Sequence, residues 1–114
     1  MKKIFAALCL LAAPVFAQTR SIFATLSATG TTSAIMAEAN YHTVQVVPSG
    51  SPSGCDVRLE GSLDNSNWFD LSGTQTCTSA VMFHVDGKPA TYVRVNLLTW
   101  TGGTSAAITY KGQN

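Results

Sequence analysis

The sequence predicts an all-β fold, a compact antiparallel β-sandwich of jelly-roll-like or Greek-key type with about eight short strands. Three observations predict it. Apolar residues recur with period two, not 3.6, as in strands with one buried face. Turn-forming clusters break the chain at the spacing usual for small sandwiches. The composition is 46% hydrophobic and only 11% charged, and a quarter of the residues after position 17 are Ser or Thr.

Residues 1–17, MKKIFAALCLLAAPVFA, have the three parts of a secretory signal peptide. Lys2 and Lys3 supply the positive start. Ile4 to Ala13 is an unbroken apolar run, and Val15-Phe16-Ala17 suits a cleavage site. The run is too short to cross about 30 Å of hydrocarbon, which takes roughly 20 residues. No membrane span is expected. Residues 18–114 are expected to form a single exported domain, periplasmic or extracellular. Without Lys2 and Lys3 the chain has five basic and six acidic residues, a net charge of −1. This balance argues against nucleic acid as a partner, since phosphate neutralisation needs a basic stripe.

The strands follow in order. They are expected near 20–29, 32–38, 41–47, 55–62, 67–71, 79–85, 91–99 and 105–111. His42, Val44 and Val46 share one face. Val57 and Leu59 alternate with Asp56, Arg58 and Glu60. Phe83 and Val85 alternate with Met82 and His84, and Val93, Val95 and Leu97 with Tyr92, Arg94 and Asn96. Turn signals stand at 49–54, 64–67, 72–73, 86–89 and 101–103. Ser33 to Asn40 has helical composition, but so short a helix is marginal, and strand is expected there.

Cys9 lies inside the signal. Cys55 and Cys77 remain, and an exported setting favours a disulfide between them. In the chain-entropy model, closing that loop stabilises by about 3.4 kcal/mol. A metal site would need more Cys or His at ligand spacing.

Two segments carry a resemblance. One is Val57-Arg58-Leu59-Glu60-Gly61-Ser62-Leu63-Asp64-Asn65-Ser66-Asn67-Trp68-Phe69-Asp70-Leu71. The other is Lys88-Pro89-Ala90-Thr91-Tyr92-Val93-Arg94-Val95-Asn96-Leu97, running on through Trp100 to Thr109-Tyr110. They resemble the "Ser-x-Asp-Gly-x-x-Trp" hairpin and the "Ala-x-Tyr-Val-Arg-Val" strand of discoidin-type, galactose-binding-like β-sandwich modules. Such modules also occur in phage and bacterial surface proteins. Asn65 stands where that hairpin usually has Gly, and both residues tolerate positive φ. The resemblance implies a β-sandwich and a recognition role.

The residues themselves point away from catalysis. His84, Asp86 and one of eleven serines would make a triad only by coincidence, and no Gly-x-Ser-x-Gly elbow is present. Asp56 and Glu60 would lie about 13 Å apart on one strand face, beyond glycosidase spacing. No enzyme activity and no cofactor are expected. Asp64, Asn67 and Asp70 form a weak calcium candidate, lacking EF-hand spacing. Trp100, Trp68, Tyr92, Arg94 and Asn96 are the candidate ligand residues, because an aromatic beside amide and guanidinium groups suits a sugar. Trp100, beside a Thr-Gly-Gly turn, is the expected exposed platform. The sequence thus suggests a non-catalytic recognition module for a glycan or cell-surface polymer. The alternative is a structural subunit that works by protein self-assembly.

Overall fold

The computed structural model describes residues 20–114. The signal peptide expected at 1–17, with Cys9, lies outside them. Every regular element among the described residues is a strand. They are β1 (Arg20–Leu26), β2 (Gly30–Thr31), β3 (Ile35–Ser49), β4 (Gly54–Ser62), β5 (Phe69–Asp70), β6 (Gln75–Thr76), β7 (Val81–Thr101) and β8 (Ser105–Gln113). All pairings are antiparallel, in the order β1-β8-β3-β7-β4-β5, with β2 on β7 and β6 on β4.

The all-β expectation holds, but two strands are long, not short. The pieces expected at 32–38 and 41–47 form one strand of 15 residues, β3. Those expected at 79–85 and 91–99 form one strand of 21 residues, β7. The turn expected at 86–89 is a bend inside β7. Gly87 takes φ 70° there, and Glu38 takes φ 46° in the facing stretch of β3. The β3–β7 register slips on both sides of Ala39. An irregularity of this kind bends a strand without ending it. It also switches which residues face inward. Ala37 and Ala39 are buried before the slip, and His42, Val44 and Val46 after it. The same holds for β7, where Phe83 and Val85 give way to Ala90 and then to Val93, Val95 and Leu97.

The bend lets β7 serve two halves of the sheet. Its first part pairs with β3, which also pairs with β8. Its second part pairs with β4, from Ser62↔Tyr92 to Gly54↔Thr101. One apolar cluster draws on both halves, including Ile22, Val44, Ile108, Val57, Leu59 and Val95. Burying side chains of this kind stabilises by about 1.5–3 kcal/mol each. The helix-favouring composition at 33–40 loses to this packing, because strand geometry sends Ala37 and Ala39 into the core.

Cys55 and Cys77 are bonded, with Cα atoms 4.9 Å apart. The disulfide ties the start of β4 to the segment after β6, beside a backbone bond from Cys77 N to Cys55 O.

One polar pair lies inside the core. His42 is 1% exposed. Its Nε2 is 2.8 Å from the Lys88 carbonyl, which can only accept. Nε2 therefore carries the proton, and Nδ1 accepts from the Tyr110 hydroxyl at 2.7 Å. Burial holds the imidazole below its ordinary pKa, against weaker opposing effects of the Lys88 carbonyl and the Asp86 charge. Burial also pushes the Tyr110 phenol upward. The unfolded chain therefore binds a His42 proton that the native chain resists. This contribution to stability is complete above pH about 6.5 and declines as pH falls below it. Thermal midpoints measured between pH 8 and 5 are expected to show that decline. A His42→Gln variant, less stable overall, is expected to show a flatter profile above pH 5, and equal slopes would refute the assignment.

Candidate functional site

The β4–β5 hairpin joins Ser62 to Phe69. Its turn is closed by Asp64, as a short acceptor side chain can do. Oδ1 accepts from the backbone N–H groups of Ser66 at 2.9 Å and Asn67 at 2.8 Å, and from the Ser62 hydroxyl at 3.0 Å. Oδ2 accepts from the Asn67 amide at 2.6 Å. These bonds, led by the Asn67 and Ser66 N–H groups, hold the Asp64 carboxyl far below its ordinary pKa. Asn65 takes φ 62°, the left-handed conformation in which Asn can replace Gly.

The calcium candidates Asp64, Asn67 and Asp70 are thus engaged in local turns. Asp70 Oδ1 accepts from the N–H groups of Ser72 and Gly73. Among the described residues, no group of three or more His, Cys, Asp or Glu could hold a metal ion.

Three of the five candidate ligand residues meet around the Glu60 carboxylate. Asp56, Arg58, Glu60 and Ser62 alternate with the core residues of β4, and Tyr92, Arg94 and Asn96 do so on β7. Glu60 pairs with Arg94, and Arg58 with Asn96, in register. Glu60 is nevertheless 2% exposed. Its Oε1 accepts from Arg94 Nε at 2.7 Å. Its Oε2 accepts from Arg58 Nε at 2.7 Å and Asn96 Nδ2 at 2.9 Å. The Arg94 guanidinium also lies 4.3 Å from the Trp68 ring centre. Burial alone would raise the Glu60 pKa; the bonds from Asn96, Arg94 and Arg58 outweigh it and hold the carboxyl below its ordinary value. Tyr92 sits one step along this face, opposite Ser62, and is half-buried.

Trp100 is not part of this group. The β4–β7 register slips between Asp56 and Val57, so that Val57 faces Leu97 and Asp56 faces Thr99. Leu98 is the extra residue. The slip turns Trp100 inward, opposite Cys55. It packs partly buried against the core, and a Cβ at Gly103 would strike its ring. The expected exposed platform is therefore a packing residue. Trp68 is also partly buried, with one ring face covered by Arg94.

The histidines form no triad with a serine. His42 is bonded to Tyr110 and Lys88, and His84 Nδ1 lies 3.0 Å from Thr43 Oγ1.

The sequence reading missed a concavity among the described residues. A groove of about 370 Å³ runs beside the hairpin turn. Leu63, Phe69, Leu71, Pro89 and Ala90 form its apolar walls, with Asp64 and Asn67 at the rim. Leu63 is 74% exposed and Phe69 67% exposed. Leu71 packs over Gly61 and Ala90, where a Cβ on Gly61 would clash. The Lys88 ammonium fastens this loop by donating to the Leu71 carbonyl at 3.0 Å. The available signal was Leu63, a large apolar residue inside an otherwise polar turn.

No protein-family model matches the chain, and no curated protein matches its sequence significantly. Among solved structures, the crystal structure of SPBc2 prophage-derived protein YomS is similar. It has 11% sequence identity and a TM-score of 0.58, with 83% of this chain and 94% of that chain covered. At that identity the likeness shows the fold: a small all-β architecture shared with a prophage protein.

Proposed function

We propose that this chain is an exported, non-catalytic structural subunit that works by protein–protein assembly. The exposed apolar side chains carry the reading. Phe23, Leu63, Phe69, Met82, Met36, Tyr41 and Val47 are all large and at least 43% exposed. Single exposed apolar residues are ordinary on a surface. Leu63 and Phe69, however, share one groove with a polar rim, the pattern of an interaction site. The prophage origin of the fold neighbour fits an assembly role. The disulfide fits export.

The sugar-binding reading, which the discoidin-like hairpins favoured, loses its main support. Trp100 packs inward and Trp68 is stacked on Arg94. Light scattering across a hundredfold concentration range decides between the two. The secreted, oxidised chain is expected to gain mass with concentration. A strict monomer that gives signal on a glycan array would overturn the assembly reading.

A further inference from the structure

Among the described residues, two of the longer open stretches of sheet edge differ in kind. One is the first part of β7, residues 81–91, where β4 does not reach. It is interrupted by Asp86, Lys88 and Pro89 and bent at Gly87, φ 70°. Charge, proline and bends are the usual devices against edge-to-edge pairing. The other is the outer edge of β1, which ends the strand order. β1 pairs with β8 over seven consecutive residues without a register slip. From Ser21 to Leu26 it contains no charge, no proline and no glycine. Phe23 stands at its centre, 78% exposed.

Resting on the assembly reading, we propose that the β1 edge pairs antiparallel with the β1 edge of a second copy of this chain. The sequence of the edge is close to a palindrome about Phe23. In a two-fold arrangement Phe23 faces Phe23 of the second copy. Ser21 faces Thr25, and Ile22 faces Ala24. A two-fold interface must be self-complementary, and over residues 21–25 this register places like with like, with Arg20 facing Leu26 at the ends of β1. The hydroxyl pair Ser21–Thr25 and the aromatic pair lie on the outer face, where all three residues are exposed. Ile22, Ala24 and Leu26 face the core side, and Ile22 is 5% exposed. The pairing therefore extends both the hydrogen-bonded ladder and the apolar layer from one copy into the next. The partner is a second copy because the edge offers a foreign strand no charge or pocket to recognise.

The test uses the secreted, oxidised chain. Opposed antiparallel residues have Cα atoms about 4.5–5.5 Å apart, within disulfide reach. A Phe23→Cys variant is therefore expected to form a covalent dimer under mild oxidation. Thr25→Cys is the control. Its two copies would lie about 13 Å apart along the strands and are expected not to cross-link. Charge supplies the second arm. Phe23→Lys and Phe23→Glu are each expected to be monomeric where the unmodified chain is dimeric. Their equimolar mixture is expected to regain the dimer, because like charges directly opposite repel and unlike charges attract. Equal cross-linking at positions 23 and 25 would overturn this register. An oligomer untouched by Phe23→Lys but lost in Leu63→Glu would overturn the edge pairing and leave the assembly reading standing. A chain that is monomeric at every concentration would overturn both.

Discussion

Replacing Cys55 and Cys77 together by alanine is expected to lower stability by about 2–5 kcal/mol. For a domain of this size each kcal/mol moves the thermal midpoint by roughly 4–8 °C. The drop should therefore be on the order of 10 °C or more. Two effects add. The disulfide spans 22 positions of sequence, and losing it frees that loop in the unfolded chain. Both sulfurs also sit in the core, at 1% and 0% exposure, so alanine leaves small voids. The segment held by Cys77 has little else to fix it. β6 contributes only Gln75 and Thr76. Thermal melts of the two proteins under identical buffer check the expectation, and coincident midpoints would refute it.

The second large effect is expected at Glu60. Glu60→Ala should destabilise by about 2–3 kcal/mol. Removing one member of a fully buried ion pair costs about 3–5 kcal/mol. Here the carboxylate side chain is 3% exposed while Arg58 and Arg94 are 35% and 26% exposed, so water can take over part of their bonding. Three donors lose their acceptor at once, and the Arg94 guanidinium loses the partner that fixes it over the Trp68 ring. The pH sign follows from the lowered carboxyl pKa. The Glu60 contribution is present above the ordinary glutamate range and is lost as pH falls through the lower native value. Denaturant unfolding of Glu60→Ala and Glu60→Gln at neutral and acid pH checks this. The gap between each variant and the parent chain should shrink on acidification, and a gap independent of pH would refute the ionised role.

Much of the fold was legible because alternation records burial directly. Val57, Leu59, Val93, Val95 and Leu97 were all expected on the inner face of their strands and are buried there. The Asp64–Asn67 turn was equally legible, since its chemistry is local. What alternation cannot record is a break in its own phase. Gly87-Lys88-Pro89 carries the composition of a turn, and a bend with a partner strand on one side uses the same residues. The slip at Leu98 leaves no compositional mark at all, yet it decides that Trp100 faces the core. The burial of Glu60 was not legible for a related reason. Its burial depends on Arg94 and Asn96, brought beside it by pairing with β7, which no local pattern announces. The apolar groove was missed because it takes Pro89 and Ala90, distant in sequence, to complete the wall that Leu63 and Phe69 begin.

The pairing of β1 with β8 has a kinetic consequence. The first strand of the described chain must wait for the last. β3 also needs β8 along one side from Tyr41 to Ser49. A chain made amino-terminus first therefore carries β1 unpaired until almost all the rest has followed. Contacts so distant in sequence make folding slow, because loop closure precedes any gain from pairing. The ladder closes late, and the uncharged Ser21–Leu26 segment spends that interval with both its edges free.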